Sequence, residues 1–369
     1  MIVGGGPAGC ILANRLSADP ANRVLLLEAG APDYWWDLRI QLPLAMGFPV
    51  GNPRFDWMYE SRPEPGLDGR TLHHPRGKVL GGSSSINGMI YERGAGADYD
   101  RWGVEADAKD WSHAHCLPYF RRLEGCIDEP LGTTRGRTGP QTLHRGPAQG
   151  PIFEAFFEAA RQSGYPVVDD LNDCAEQGFS PLDQAVHAGR RASAAQAYLH
   201  PVRARDNLVV RCHALTTQVE FEGRRAVGVR YRGRDGAEMQ VRAGTVVLSG
   251  GAIGTPQVLQ LSGVGDREHL RDLGIPLVHH LPGVGQNLQD HLAVHVQHKC
   301  AQPVSLAQIR NKVNWPGLVL DAVLFGKGHA PATRCRPAGS CTATSPRASP
   351  TSCSCSPRSR CRAPRSPSS

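Results

Sequence analysis

An α/β fold that begins with a Rossmann-type βαβ unit is predicted by three features of the first thirty residues. "MIV" runs apolar into Gly4-x-Gly6-x-x-Gly9, "CILANRL" has the apolar spacing of a helix, and "NRVLLLEAG" is a second apolar run that ends in Glu28. The logic of such a unit is access to the main chain. Glycines permit a tight turn and the close approach of a pyrophosphate, the N–H groups that open the helix receive its charge, and an acid about 20 residues further on accepts from ribose hydroxyls. Glu28 stands nineteen residues past Gly9. An acid there disfavours a 2′-phosphate, and so NADP, but leaves FAD and NAD both open. Cys10 reads as a small residue packing the helix on the sheet, and Trp35-Trp36 as buried or interface aromatics.

Further along, "GPIFEAFFEAARQSGY" is amphipathic, with Ile152, Phe153, Phe156, Phe157 and Ala160 near one helical face. From Asn207 to Ala252, Val, Thr and Tyr alternate or run between glycine-bearing turns such as Arg234-Asp235-Gly236, which predicts four short strands. The last of them, Thr245–Leu248, leads into Gly250-Gly251. His113 and His115 lack the surrounding cysteines, histidines or carboxylates of a metal site and read as a surface or core pair.

Composition excludes several classes. The chain has 369 residues, enough for two domains, with 41 Lys+Arg against 34 Asp+Glu. Seven of those arginines lie in residues 329–369, which hold no lysine and no acid, so the other 328 residues carry 34 charges of each sign. A neutral body gives no electrostatic argument for nucleic acid or an anionic membrane. No apolar run approaches the roughly 18 residues of a membrane span. Six cysteines scattered at wide spacing suit free thiols of a reducing compartment, and with no secretory signature the chain reads as cytoplasmic.

The second glycine-rich region is "HPRGKVLGGSSSINGMIYERGAGADYDRW", His74 to Trp102. Gly81-Gly82 followed by Ser83, Ser84 and Ser85 offers small side chains, amides and hydroxyls to a ligand lying against the main chain, and Val79, Leu80, Ile86, Met89 and Ile90 around it require burial. The pattern Gly77-Lys78-Val79-Leu80-Gly81-Gly82-Ser83-Ser84-Ser85-Ile86-Asn87, with Tyr91, Gly94 and Asp100, resembles the first signature of the glucose-methanol-choline (GMC) flavin oxidoreductases. "GAIGTPQVLQLSGVG", Gly251 to Gly265, resembles the second, and "RASAAQAYLHPVRARDNL" and "PGVGQNLQDH" support both. The resemblance runs from Met1 to about Gly328, with choline dehydrogenase-like enzymes as the nearest subgroup.

The resemblance implies a Rossmann-type FAD-binding domain assembled from separate segments, a partial α+β substrate domain, and oxidation of a small-molecule alcohol with a quinone or oxygen as electron acceptor. The segments expected are 1–130 and 191–295 for FAD binding, 131–190 and 296–328 for the substrate domain, and a disordered tail at 329–369. Gly4, Gly6, Gly9 and Glu28 would hold the ADP half. Val79, Gly82 and Asn87-Gly88-Met89-Ile90 would lie along the flavin, and Val219 would meet the adenine by its backbone. Ile86 stands where some relatives carry a histidine tethered to the flavin, so the FAD is expected to dissociate; Asp290-His291 takes a structural role.

In this family a histidine takes the hydroxyl proton as hydride leaves the alcohol carbon, because an alcohol is a poor hydride donor until its proton is departing. That histidine belongs to the family's C-terminal segment, and nothing here matches it, so no catalytic residue is assigned. Residues 329–369 are ten Ser, seven Pro, seven Arg, six Ala, five Cys, four Thr, one Gly and one His, as though a GC-rich gene were read out of frame after about Gly328. Such a composition buries too little apolar surface to order itself. Two readings follow: an FAD-dependent alcohol oxidoreductase by descent, inactive in this chain, or a non-catalytic FAD-binding fragment. An RNA-binding role for the arginine-bearing tail is disfavoured by its sparse charge and lack of aromatics.

Overall fold

The computed structural model describes residues 1–105, 107–128, 132–146, 148, 150–173, 178–291, 337–340 and 352–353. They form two contact-dense units, one within residues 1–89 and 190–290, the other of the described residues within 90–189 and 291–369. The chain leaves the first unit after Met89 and re-enters it at Arg190.

In the first unit β1 (Ile2–Val3) and β2 (Val24–Leu27) pair in parallel, Ile2 opposite Leu26. The unbroken apolar run of β2 is what a strand covered on both faces requires. Between them α1 (Pro7–Leu16) starts with proline in its first turn and turns Cys10 and Ala13 inward. The "NLVV" segment supplies β3 (Leu208–Arg211) on the far side of β2. Next come the antiparallel strands β4 (Leu215–Glu222), β5 (Arg225–Arg232) and β6 (Glu238–Arg242). β7 (Val247–Leu248) then pairs with β1, giving a parallel sheet in the order β3-β2-β1-β7. Five strands thus occupy the stretch from Asn207 to Ala252 where periodicity predicts four, because the turn at His213 separates two apolar runs that read as one. After β7 the chain enters α2 (Gly251–Leu261).

The core of this unit joins distant segments. Ile2, Cys10, Ala13, Val24, Leu26, Leu80, Ala194, Ala195, Tyr198, Leu199 and Leu208 form one buried cluster. Leu80 comes from the second glycine run and Ala194–Leu199 from "RASAAQAYL", which forms a π-helical turn over Ala195–Leu199 against α1. Cys10 has the packing role its position predicts, and burial, followed by the charges of Asp33 and Glu28, pushes its thiol up to about 12. Trp35 and Trp36 are 70% and 52% exposed, which rules out the buried alternative of their reading and leaves the interface one; Trp36 stacks on Tyr34.

In the second unit the predicted amphipathic helix forms over Pro151–Gln162 and buries Phe153, Phe157 and Ala160, with Ile152 at its exposed start. A four-stranded sheet runs in the order Ile90–Tyr91, Asp183–Gln184, Gln141–Arg145, Glu124–Cys126. At its centre is a buried charge network that no periodicity signals. Arg93 bonds both carboxylate oxygens of Glu124 at 2.6 and 2.7 Å, Arg135 reaches Asp183 at 2.5 Å, and Arg145 meets Asp170 at 2.9 Å. Tyr91 Oη and the Gly136 N–H also donate to Glu124. The facing carboxylates hold the Arg135 guanidinium well above its ordinary value although burial acts the other way. His115 Nδ1 meets Ser112 Oγ, and among the described residues no group of acids, cysteines and histidines is arranged for a metal.

Of the expected disordered tail, Pro337–Ser340 and Ser352–Cys353 fall among the described residues, and the remainder lies outside them, as does the expected 296–328 segment. The first pairs antiparallel with Gly178–Pro181 and the second pairs with the first.

Removing one partner from a buried ion network leaves the others as uncompensated charges. Glu124→Gln is therefore expected to lower stability by about 3–5 kcal/mol in urea denaturation; a change below about 1 kcal/mol would show that water solvates these arginines in the folded chain.

Candidate functional site

The site is assembled from two backbone turns that touch. Gly4, in the left-handed region at φ +97°, turns the chain from β1 towards α1. A Cβ on Gly9 would lie 1.9 Å from the Gly4 carbonyl oxygen, so only glycine lets the helix sit on this turn. Gly6 is the N-cap of α1, with an extended backbone and no side chain capping the helix. The first-turn amides thus lack a side-chain partner, and a Cβ on Gly6 would enter open space.

The second glycine run closes on this turn. The Gly81 N–H donates to the Gly5 carbonyl at 2.7 Å, and a Cβ on Gly82 would come within 2.7 Å of the Gly6 Cα. From the other side Ser249 Oγ donates to the Val3 and Gly4 carbonyls, each at 2.9 Å. This serine, directly before the second signature, is a bracing residue that motif reading alone did not single out. Val79 is fully buried beside the same turn, in a parallel bridge with Ala31.

Glu28 lies at the end of β2, buried. Its Oε2 accepts from the Gly5 N–H at 2.7 Å and its Oε1 from the Gly30 N–H at 2.8 Å. Burial dominates these bonds and lifts the carboxyl from 4.5 to about 7. Each oxygen keeps a lone pair for a further donor. The donor set and the space fit a dinucleotide: helix amides with no side chain in front of them, a bare backbone at Gly6, and a fixed carboxylate that can still accept from ribose hydroxyls.

The segment after Gly82 differs in detail from its sequence reading. The three serine hydroxyls serve the protein's own backbone. Ser84 Oγ donates to Gly81 O and Ser85 Oγ to Leu80 O, while Ser83 Oγ accepts from the Gly77 N–H. Asn87 Oδ1 accepts from the Met89 N–H at 3.0 Å, an Asx turn in which Met89 is fully buried at φ +61°. Gly88 lies within that turn. Ile90 begins the first strand of the second unit and pairs with Gln184. The Val219 N–H donates to Ser262 Oγ at 2.8 Å, so that amide is engaged within the chain; the side chain is buried in a cluster with Val3, Leu27, Val229 and Tyr231. Asp290 pairs with Arg76 at 2.8 Å.

With this geometry in view, similarity to known proteins is extensive. A family model described as GMC oxidoreductase matches residues 1–293. An oxygen-dependent choline dehydrogenase of Staphylococcus xylosus is 52% identical over 331 residues, covering 89% of this chain and 59% of the relative. That of Staphylococcus saprophyticus is 51% identical over 335 residues, with the same coverage. The chain thus spans about 59% of the length of the curated relatives it matches. Among solved structures, an FAD-dependent oxidoreductase from Chaetomium thermophilum aligns with a TM-score of 0.80 at 32% identity, over 91% of this chain and 60% of that one. Pyridoxine 4-oxidase from Mesorbium loti aligns with a TM-score of 0.71 at 35% identity, over 76% and 55%.

The raised Glu28 carboxyl makes ligand-free stability depend on pH. Its folded-state value lies above its ordinary one, so its contribution is complete below pH 4.5 and is lost as the pH rises through about 7. Glu28→Gln should flatten the stability curve of the ligand-free protein across that window in thermal unfolding; an unchanged slope would assign the titration to another group.

Proposed function

This chain belongs to the GMC oxidoreductase family, and on that premise we propose that it is the FAD-holding part of an enzyme that oxidises a small alcohol to an aldehyde. The observation that carries this is the closure of Gly82 on Gly6 beside an uncapped helix start and the buried Glu28.

FAD, when bound, supplies the hydride acceptor for oxidation at an alcohol carbon. The chain's own residues do the holding. The turn at Gly4, Gly6 and Gly9, with the first amides of α1, receives the pyrophosphate, where amide dipoles favour its charge. Glu28 accepts from the ribose hydroxyls. Val79, Gly82 and the Asn87–Met89 turn lie along the flavin end, with a buried left-handed backbone at Met89 that fixes where amides and carbonyls point. Ile86, almost fully buried, offers no atom for a covalent tether, so the cofactor exchanges.

Quinone and oxygen are both possible acceptors for such a flavin; the relatives' printed name favours oxygen, and it makes choline the first alcohol to test. No helix among the described residues is long and apolar enough to cross a membrane, and we place the protein in the cytoplasm. The proton acceptor has no counterpart in residues 329–369, which hold a single histidine, His329. These residues are proposed to bind FAD and, by themselves, not to turn over an alcohol.

Ribose hydroxyls that donate to Glu28 stabilise its charged form, so FAD binding strengthens as the pH rises through about 7. Titration of the full chain with FAD, followed by flavin fluorescence between pH 6 and 8, should show that trend together with a bound flavin spectrum that choline does not bleach under anaerobic conditions. Preference for NAD over FAD would overturn the cofactor assignment, and bleaching by choline would overturn the inactivity of this chain.

A further inference from the structure

A cation bonded to the Asn87–Met89 turn has no anion among the described residues. Arg191 is buried, with 3% of its surface exposed, and among the described residues its guanidinium bonds neutral oxygens. Nε donates to the Ile40 carbonyl at 2.8 Å. Nη1 donates to the Asn87 carbonyl and to Asn87 Oδ1, each at 2.7 Å, and lies 3.3 Å from the Ser84 carbonyl. Nη2 is buried without a partner, and among the described residues no acid pairs with this side chain.

A fully desolvated charge left unpaired is expensive, and the second unit of this chain pairs every arginine of its buried network with a carboxylate. Burial lowers the Arg191 guanidinium to about 10, which still leaves it cationic at neutral pH. The acceptors are specific: Asn87 Oδ1 is also the atom that receives the Met89 N–H and holds Met89 at φ +61°. Nη1 alone reaches the backbone and side-chain oxygens of Asn87 while Nε holds the Ile40 carbonyl, and an ammonium, with one nitrogen, cannot span both ends of that arrangement.

We infer that Arg191 is a positioning residue for the flavin-facing turn, holding Asn87–Met89 in its left-handed geometry and keeping an unneutralised positive charge bonded to that turn, where it favours the electron-rich form of a bound flavin. The inference rests on the FAD reading above, and goes beyond it by naming a residue outside the motifs that carry that reading.

The test compares Arg191→Lys and Arg191→Met in the full chain. Hydrogen exchange of the peptide containing residues 84–89, measured without cofactor, should show loss of protection in both variants. With FAD, the Met variant should bind about tenfold more weakly, ~1.4 kcal/mol, as expected for one or two lost hydrogen bonds. Its flavin should have a lower reduction potential than that of the Lys variant, which keeps the charge. Unchanged protection at 84–89 overturns the positioning role whatever FAD does. Equal potentials in the two variants overturn the charge role and leave Arg191 a core strut. If the unmodified chain takes up no FAD the cofactor reading fails, and the exchange experiment alone decides whether Arg191 holds the turn.

Discussion

No side chain can stand between the turn at Gly6 and the turn at Gly82. The two backbones approach until a single added Cβ on Gly82 would strike the Gly6 Cα at 2.7 Å, and the Gly81 N–H reaches the Gly5 carbonyl. This contact brings a loop some seventy-five residues downstream onto the opening turn of the βαβ unit. The site depends on it, because the same closure seats Leu80 in the core formed by β1, β2 and α1 and leaves open space on the far side of Gly6. Packing and site are therefore one construction. The apolar residues flanking the glycines are buried to hold the bare backbone in place.

Buried charge is handled in two ways. In the second unit Arg93, Arg135 and Arg145 meet Glu124, Asp183 and Asp170, so the network compensates itself and its role is structural. In the first unit Glu28 and Arg191 are both buried without an opposite charge bonded to them; Glu28 is lifted to about 7 by desolvation and Arg191 lowered to about 10 by the same cause. Lys78 bears on Glu28 only as a lesser influence, behind burial and the backbone bonds. Perturbed groups of this kind concentrate at functional sites, and both lie at the turns that the glycines bring together.

The resemblance to GMC enzymes gave the glycines, Glu28 and the Asn87–Met89 stretch, and the structure gathers these at connected turns of one unit. Local reading was weaker where a polar side chain had a choice of partner. Three consecutive serines beside glycines offer hydroxyls to a ligand or to the loop itself, and each hydroxyl bonds the backbone of its own chain. Val219 offers an amide on a strand, and Ser262, forty-three residues later, takes it. Trp35 and Trp36 follow an acid and a tyrosine in a loop, where hydrophobicity alone could not tell exposure from burial.

What the sequence determined by itself is what short-range stereochemistry and periodicity control: the glycine turn, the buried strand ending in Glu28, the amphipathic helix at Pro151–Gln162, and the change of composition after Gly328. Those depend on neighbours a few residues apart. Only the tertiary structure decided which distant groups meet: Gly82 on Gly6, Ser249 on Gly4, Arg191 on Asn87, and the ion network around Glu124. A hydrogen bond or ion pair across a hundred residues leaves no period in the chain, because its partners are fixed by how the sheets and helices pack and not by their spacing in sequence.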